Sequence, residues 1–404
     1  MTLERQAAST RLDVTTSDDR YHRQSLISWW DQGRLREASV LVAGSGALGN
    51  ELVKNLVLLG VGTIVLADLD QVENSNLSRC VFFREEDEGA DKASVVAERA
   101  GDVNPDIRII PVVGDIRLRL GLGVFDEVDV VLGGLDNREA RLHLNQACWK
   151  TSTPFVDGAI EGLLGVLRVF DPPDSSCYEC TMSSRDHELI AARRACSLLT
   201  REQMLGGKVP TTATSASVIA AMQAQEAVKL LHRDRISQDF SGKGYVFNGL
   251  THDSYVVDYP RRDDCMSHDT YALQGAVRIP AGATLGELLA QARDALGSDV
   301  VVEAEHEIVE AMECRACDAR EVIARPLHAL NVGAASCPTC GEGRSLVLTH
   351  QFDERHPDLL SRTPGEIGLP PHDVVTARRG EERLHFVIGL GSAVRALELE
   401  AQLL

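Results

Sequence analysis

The stretch VLVAGSGALGNELVKNLVLLGVGTIVLADLD, residues 40–70, decides the fold of this chain. An apolar strand pattern runs into the spacing Gly44-x-Gly46-x-x-Gly49, a helical pattern follows, and a second apolar strand ends on Asp68. Glycines at this spacing permit a tight turn, a close approach of the backbone to a phosphate and close packing of the helix. The N-terminus of that helix then faces an anion. The stretch predicts a nucleotide-binding strand–loop–helix unit, although a glycine-rich turn without a ligand gives the same pattern.

Apolar strands alternate with helical patterns over residues 39–154, which predicts a parallel sheet with helices on both faces. The expected fold class is α/β, a Rossmann-like doubly wound and mostly parallel sheet, followed by a C-terminal α+β domain. The sequence pattern changes after about residue 269. We therefore expect an N-terminal tail over residues 1–19, a nucleotide-binding domain over 20–270 with a loop-rich section at 171–210, and a C-terminal domain over 271–404.

The composition of the 404 residues is that of an ordinary globular protein, with 44% apolar and 25% charged residues. A net charge of −19 disfavours a nucleic-acid partner, because phosphate contacts dominate such binding. The N-terminus has no signal-peptide or transit-peptide pattern, and no apolar run reaches the roughly 20 residues that cross a bilayer. We expect a cytoplasmic protein that binds neither a membrane nor nucleic acid.

The ten cysteines favour metal binding or catalysis over disulfides, because the chain has no export signal. Six of them form pairs with two residues between the partners. Cys314-x-x-Cys317 and Cys337-x-x-Cys340 are 19 residues apart, a spacing typical of a tetrahedral zinc ribbon over residues 314–340. The alternative is a pair of reduced knuckles that only pack.

Polar and charged residues follow the second strand and a later strand, where a bound nucleotide would lie. A dehydrogenase needs few cations there, because nicotinamide sits in a largely neutral pocket. A triphosphate needs cations and a carboxylate for Mg²⁺, which neutralises phosphate charge. The joint pattern favours ATP with Mg²⁺, whereas each residue alone would be a solvated surface charge. The residues are Asp70, Asn76, Arg79, Lys92, Asp136, Asn137, Arg141 and Asn145.

At these motifs the chain resembles the ThiF/MoeB/HesA family, whose adenylating core is shared with ubiquitin-activating enzymes. The matching stretches are RYHRQ at residues 20–24, GSGALG, DLDQVENSNLSR, DNREARLHLN, CYEC and the helix after PTTATSA. They span roughly residues 18–270. One departure is Cys80, where the family usually has glutamine, and we interpret it as a change in packing.

The resemblance implies a role for each matched residue. Gly44, Gly46 and Gly49 cradle ATP, Asp68 holds its ribose, and Asn76, Arg79 and Lys92 contact its phosphates. Asp136 positions Mg²⁺ and is essential for adenylation. Arg23 reaches the ATP of a partner subunit, so the resemblance also implies a homodimer. Family members attack the α-phosphate of ATP with the C-terminal glycine carboxylate of a ubiquitin-like protein.

Cys196 lies in the loop-rich section, at the place where the resemblance implies an acyl-accepting cysteine that forms a thioester. Arg193 and Arg194 are close in sequence and would lower its pKa if they were close in space. The alternative is a buried free thiol, which is also our interpretation of Cys80 and Cys148.

A second metal site is implied around Cys177-x-x-Cys180. The family has another Cys-x-x-Cys pair after the last strand of the adenylating domain, and here that position reads DDCMSHD, with Cys265 and His268. Histidine is an ordinary zinc ligand, so a Cys₃His site is chemically sound. Both zinc sites are expected to be structural, because each has four protein ligands.

The C-terminal domain has no motif that indicates catalysis. Analogy with ubiquitin-activating enzymes suggests a β-grasp-like domain that recruits a conjugating enzyme, and the alternative is a stabilising or dimerising appendage.

The sequence favours an ATP-dependent activating enzyme that adenylates a ubiquitin-like protein, forms a thioester on Cys196 and passes the modifier to a conjugating-enzyme-like partner. Activation of a sulfur-carrier protein for thiamine, molybdopterin or cysteine synthesis is the alternative in the same class. A tRNA-dehydratase relative, a pseudo-enzyme scaffold and a dehydrogenase are further alternatives. The modifier and the biological process, of which antiviral defence is one option, stay open.

Overall fold

The structure is a computed structural model that describes residues 19–188, 210–330 and 332–403. Cys196, Arg193 and Arg194 lie outside the described residues. Within these ranges, no helix combines the length and the apolar character that a bilayer span requires.

The larger of two sheets has eight strands in the order β3-β2-β1-β4-β5-β6-β7-β8. Strands β1 to β5 are parallel, and β6 to β8 extend the sheet in antiparallel fashion. This confirms the expected α/β class with a mostly parallel sheet. The strands are β1 (Ser39–Ala43), β2 (Thr63–Asp68), β3 (Arg108–Val113), β4 (Val130–Gly133), β5 (Phe155–Glu161), β6 (Leu164–Phe170), β7 (Lys243–Asn248) and β8 (Asp253–Asp258).

Helices cover both faces of this sheet because its central strands are apolar on both sides. Val40 and Val42 of β1 pack with one set of helices, whereas Leu41 and Ala43 face the other set. The helices of this region are α1 (His22–Ser25), α2 (Gln32–Glu37), α3 (Ala47–Leu59), α4 (Lys92–Val103), α5 (Ile116–Arg119), α6 (Leu122–Glu127), α7 (Arg138–Thr151) and α8 (Ala213–Leu231). Helices α3, α4 and α8 lie on the first face, and α6 and α7 lie on the second.

The second sheet has six strands in the order β11-β10-β13-β14-β9, with β12 also paired to β10. Cys314 and Cys317 lie on the connection from β10 to β11, and Cys337 and Cys340 lie on the connection from β11 to β12. The strands are β9 (Val277–Ile279), β10 (Val301–Glu313), β11 (Arg320–Pro326), β12 (Ser345–Phe352), β13 (Val374–Arg379) and β14 (Glu382–Ile388), and the helices are α9 (Leu285–Leu296), α10 (Pro357–Leu360) and α11 (Ala393–Ala401).

The two sheets are joined by an apolar core and by a helix cap. Val374 and Leu397 of the C-terminal region pack under the second face of the large sheet. The carboxylate of Glu127, at the end of α6, accepts hydrogen bonds from the backbone N–H of Ala393 (2.8 Å) and from the Ser392 hydroxyl (2.6 Å), at the start of α11. The domain boundary near residue 270 stays a prediction, since the two regions share these contacts.

Candidate active site

The glycine loop between β1 and α3 leaves open space at the helix N-terminus. Gly44 has φ +93°, and a Cβ on Gly49 would lie 1.8 Å from the Gly44 carbonyl oxygen, so a side chain at Gly49 would push the helix away. A Cβ on Gly46, the N-cap of α3, would meet no atom within 4 Å. The free N–H groups of the first helical turn therefore face an opening that suits a phosphate.

Asp68 is held in place at the end of β2 by three hydrogen bonds. Its Oδ2 accepts from the backbone N–H (2.6 Å) and the hydroxyl (2.9 Å) of Ser45, in the glycine loop. Its Oδ1 accepts from the N–H of Asp70 at 2.8 Å. A carboxylate has about four lone-pair sites, so Asp68 keeps acceptor capacity for ribose hydroxyls. Ser45 has no place among the sequence-predicted site residues, yet it fixes this carboxylate beside the loop.

Lys92, the first residue of α4, is brought to the same edge. Its ammonium lies 2.8 Å from Oδ2 of Asp70, and its backbone N–H donates to the Asp70 carbonyl at 3.0 Å. The Lys92 side chain is 10% exposed, against 54% for Asp70. The cation is thus directed towards the segment that begins with Asp68.

Asn76 and Arg79 lie on the loop that follows β2. The buried Asn76 accepts a hydrogen bond from the Glu73 N–H through its Oδ1 (3.0 Å), and its carbonyl accepts from the N–H of Arg79 (3.0 Å). The half-buried Arg79 donates from Nη1 to the Ser75 carbonyl at 2.6 Å. Asn76 therefore holds the turn that presents Arg79, whose other guanidinium N–H groups remain for an anion. Phosphate contact by either residue stays a prediction.

Asp136 follows β4, at the edge where the first strands of the sheet end. Its side chain is exposed and accepts no hydrogen bond within the described part of the chain. The next residue, Asn137, caps α7 by accepting from the Ala140 N–H at 2.7 Å. An exposed carboxylate beside the glycine loop suits Mg²⁺, which prefers oxygen ligands.

Arg141 and Asn145 lie beneath this edge, and both are buried. Arg141 bonds the Leu135 carbonyl, and its Nη1 lies 3.3 Å from Oδ2 of the buried Asp157. Asn145 accepts from the Tyr178 N–H at 2.7 Å. The sequence grouped both with residues that meet the nucleotide, whereas the structure makes them supports. Asp157 is a support that the sequence did not indicate, since FVDGAIE has two acids in an otherwise apolar strand.

Arg23 lies far from the glycine loop of its own chain. It is exposed on α1. The ring of the nearby Tyr21 packs so closely against Gly60 that a Cβ added to Gly60 would lie 2.6 Å from it. Gly60 ends α3, whereas the loop precedes the same helix, whose 13 residues are about 20 Å long. A single chain thus does not bring Arg23 to its own site, and its action on a partner subunit stays a prediction.

Cys177, Cys180, Cys265 and His268 form a cluster whose ligand atoms all lie within 4.8 Å of one another. The Cys177 sulfur lies 3.7 Å from that of Cys180 and 3.5 Å from that of Cys265. Tetrahedral zinc with Zn–S bonds of 2.3 Å separates sulfurs by about 3.8 Å, so the donor set fits this metal. Hydrogen bonds from the Cys177 and Cys265 thiols lower the pKa of Cys180, which favours the thiolate that a metal binds.

The second cluster contains Cys314, Cys317, Cys337 and Cys340. The sulfurs of Cys314 and Cys340 are 3.5 Å apart, and those of Cys317 and Cys337 are 3.7 Å apart. Backbone N–H groups of Cys340 and Thr339 lower the pKa of Cys337 to about 6. This cluster also fits a tetrahedral metal ion.

Two other cysteines are buried free thiols, as the sequence predicted. Burial raises the pKa of Cys80 to about 11 and raises that of Cys148 well above its ordinary value. A raised pKa disfavours the thiolate, which is the form in which a cysteine acts as a nucleophile.

The first cluster is linked through α7 to the sheet edge that carries the glycine loop, Asp68 and Asp136, which we call the nucleotide edge. The ring of His268 stacks on Trp149, near the C-terminal end of this helix, with centroids 4.6 Å apart. Asn145 of the same helix holds Tyr178, beside Cys177. The helix that begins just after Asp136 is therefore anchored at its other end by the cluster.

Comparison with known proteins places this geometry in a family. A family model described as the ThiF family matches residues 20–267. The sulfur carrier protein ThiS adenylyltransferase of Escherichia coli is 35% identical over 220 residues, which are 52% of this chain and 80% of that protein. The SAMP-activating enzyme E1 of Haloferax volcanii is 31% identical over 263 residues, 63% of this chain and 89% of the relative. SUMO-activating enzyme subunit 2 of Dictyostelium discoideum is 34% identical over 148 residues, which span 36% of this chain and only 22% of that longer protein.

Solved structures share the fold. The crystal structure of E. coli MccB with succinimide has a TM-score of 0.52 and 24% identity, and covers 62% of this chain and 74% of that chain. The structure of MccB with ATP has a TM-score of 0.51 and 23% identity, and covers 63% and 75%. At these identities the likeness establishes the fold alone. Because the family model covers more than half of the sequence, the chain belongs to the ThiF family.

Proposed function

We propose that this chain is an ATP-dependent adenylyltransferase that activates the C-terminal carboxylate of a ubiquitin-like or sulfur-carrier protein. The observation that carries the proposal is a single sheet edge with an open helix N-terminus at Gly46, a fixed acceptor at Asp68, a directed cation at Lys92 and a free carboxylate at Asp136. A nucleoside triphosphate needs all four groups, whereas a nicotinamide cofactor needs only the first two.

The four groups divide the work of the reaction. The first turn of α3 would bind phosphate oxygens and Asp68 would bind the ribose. Asp136 would hold Mg²⁺, whose positive charge would offset the negative charge of the phosphates. An oxygen of the substrate carboxylate attacks the α-phosphorus of ATP. The bond from that phosphorus to the oxygen that bridges to the β-phosphorus breaks, pyrophosphate departs, and an acyl-adenylate is formed. Lys92 and Arg79 stabilise the negative charge that develops during this displacement.

An exposed apolar surface supports a protein substrate. Leu164 at the start of β6 pairs across the sheet with Glu161 at the end of β5, so it lies at the same edge as Asp136. Leu164 is 47% exposed, and Leu250, on the β7–β8 turn at this edge, is 76% exposed. Exposed apolar side chains beside a reactive edge suit the body of a protein whose C-terminal tail reaches the nucleotide.

Formation of a thioester on Cys196 and transfer to a conjugating-enzyme-like partner is the further step that we propose. Its support is the family resemblance, since Cys196 lies outside the described residues. Among the relatives, one is named for a sulfur carrier and one for a SAMP-activating E1, so both substrate types remain in the proposal. We also propose zinc in both cysteine clusters.

A homodimer is part of the proposal because Arg23 is distant from its own glycine loop. Leu26 and Ile27, next to it on the chain, are exposed, as is Leu58 near the end of α3. Burial of this apolar surface against a second copy would bring Arg23 to a new neighbour. Complementation between Arg23→Ala and Asp136→Asn subunits mixed in one solution would test this. Only a mixed dimer would hold one intact site, made of Asp136 from one subunit and Arg23 from the other.

The deciding experiment is ATP–pyrophosphate exchange with candidate carrier proteins, on the wild type, Asp136→Asn and the control Asp102→Asn. Asp102 is exposed at the far end of α4, so its variant should keep full exchange. Exchange that survives in Asp136→Asn, or binding of NAD without ATP, would overturn the proposal. A thioester on the wild type that is lost in Cys196→Ala indicates transfer, and exchange without any thioester indicates sulfur-carrier activation. Absence of exchange with every carrier would favour a pseudo-enzyme scaffold.

A further inference from the structure

The position of Asp136 depends on its neighbours, because its own side chain has no partner within the described residues. The turn that presents it is fixed first through the backbone, where the Gly134 N–H donates to the Ala43 carbonyl at 2.9 Å. The next carbonyl, that of Leu135, is held by one side chain. Arg141 donates to it from Nε (3.2 Å) and from Nη2 (2.5 Å).

Arg141 is itself locked in place by β5. Its Nη1 lies 3.3 Å from Oδ2 of Asp157, and its Nη2 donates to the Gly158 carbonyl at 3.0 Å. Asp157 is fully buried and Arg141 is 9% exposed. A buried guanidinium with a carboxylate partner and carbonyl acceptors has little freedom to move.

The end of β4 is also held from the opposite face of the sheet. Nε2 of the buried Gln223, on α8, donates to the Gly133 carbonyl at 2.9 Å and to the Val156 carbonyl at 3.1 Å. Gln223 thus fixes the last residue of the strand, whereas Arg141 fixes the turn beyond it. Of the two, only Arg141 contacts the residue next to Asp136.

We propose that Arg141 is a positioning residue that sets the place of the Asp136 carboxylate through the Leu135 carbonyl. The inference rests on the proposed function, because it concerns the carboxylate that would hold Mg²⁺. It assigns to a buried arginine a role that requires no contact with ATP. Loss of the two hydrogen bonds would let the turn move and would misplace Asp136.

The chain offers a matched control in Arg168, on β6. Its Nη1 donates to the same Oδ2 of Asp157 at 2.8 Å, and it is also largely buried. Within the described part of the chain, no hydrogen bond joins Arg168 to the turn at 134–136. Arg141→Met and Arg168→Met each remove one cation from Asp157, but only the first releases the Leu135 carbonyl.

The experiment measures hydrogen exchange of the Gly134 backbone amide, which donates to the Ala43 carbonyl, in the protein without substrate, and ATP–pyrophosphate exchange as Mg²⁺ is varied. We expect Arg141→Met to speed exchange of the Gly134 amide about tenfold, to weaken the apparent affinity for Mg²⁺ about tenfold, and to lower the rate of pyrophosphate exchange about 10- to 100-fold. Arg168→Met should leave each readout within about threefold, at a similar loss of thermal stability. Arg141→Lys keeps a cation beside Asp157 but cannot bond two carbonyls at once, and should be intermediate if the methionine variant does not fold.

Equal effects of Arg141→Met and Arg168→Met on the turn and on Mg²⁺ dependence would overturn the proposal. So would a further loss in the double variant Arg141→Met/Asp136→Asn, since a residue that acts through Asp136 has no effect once Asp136 is gone. Amide exchange is read without carrier or ATP, so it separates this inference from the proposed function. If the wild type and Arg168→Met both fail to catalyse pyrophosphate exchange, the proposed function is wrong and the amide result still decides whether Arg141 holds the turn.

Discussion

The nucleotide edge and the cysteine clusters are assembled in opposite ways. In each cluster the four ligand atoms already lie within 4.8 Å of one another. At the nucleotide edge the groups come from separate strands, and Asp136 is exposed with no partner of its own in the described ranges. The fold thus brings the donors of each cluster together, whereas at the edge it leaves the Asp136 carboxylate exposed to solvent. This difference predicts that changes at the edge affect catalysis, and changes in the clusters affect folding.

The largest expected effect separates the two regions completely. Asp136→Asn should lower ATP–pyrophosphate exchange about 10³-fold, because it removes the charged oxygen that would hold Mg²⁺. The free energy of unfolding should change by less than about 0.5 kcal/mol, since the side chain is exposed. Calorimetry alongside the assay tests both halves, and a marked loss of stability would contradict the contrast.

Lys92→Met should lower the rate of pyrophosphate exchange about 100-fold, because it removes a cation from the proposed phosphate site. Lys54 provides the matched control, because it is also paired with a carboxylate, that of Glu51, but within α3. Lys54→Met should leave exchange within about twofold. Equal losses in the two variants would indicate a general effect of charge and not a phosphate contact.

The two clusters should differ from each other in their effect on catalysis. Cys180→Ser and Cys317→Ser should each lower the zinc content by one ion per chain and the melting temperature by about 5 °C. Only Cys180→Ser should also lower exchange, about tenfold, because its cluster anchors α7 through His268 and Trp149. Metal analysis, melting curves and the exchange assay together test this, and full activity in both variants would show that the anchor is not needed.

The smallest expected effect concerns Asp373, whose carboxyl group is buried, whereas that of Asp136 is exposed. Burial raises its pKa to about 7. The carboxyl group therefore binds a proton more readily in the folded chain than in the unfolded chain. Its contribution to the free energy of unfolding is largest below about pH 4 and is lost as the pH rises to about 7. Asp373→Asn, which keeps the acceptor for the Leu122 N–H, should stabilise the protein by about 2 kcal/mol at pH 8 and have no such effect at pH 4. Urea unfolding at the two pH values measures it, and the same difference at both would contradict the assignment.

Much of the nucleotide-binding fold could be predicted because its signals are local. The apolar strand patterns and the glycine spacing each lie within a few residues, and the structure confirms the strands, the loop and the mostly parallel sheet. The Cys-x-x-Cys pairs indicated both cysteine clusters for the same reason. The prediction that Cys177 lies near Cys265 required the family resemblance in addition. Buried Cys80 and Cys148 also agree with their prediction.

The supports of the site could not be predicted, because they depend on pairings across the sheet. Arginine and asparagine also occur among residues that bind ligands, so the residue types of Arg141 and Asn145 do not reveal their supporting role. Only their burial in the structure does. Ser45 and Asp157 are equally unremarkable in sequence. The shared core of the two sheets, with the Glu127 cap on α11, joins residues more than 260 positions apart, and no local pattern encodes such a contact.

The sequence by itself determined the elements, the glycine loop and the kinds of donor available for a nucleotide and for metal ions, since backbone propensity, apolar periodicity and motif spacing are properties of short segments. Only the tertiary structure decided which charges face the ligand and which support it. Asp136 and Asp157 are the same residue type, each near a strand at this edge, yet one is exposed and the other is enclosed by two arginines. The cause is the order of the strands, which sets every side chain's burial and partners and which no segment specifies alone.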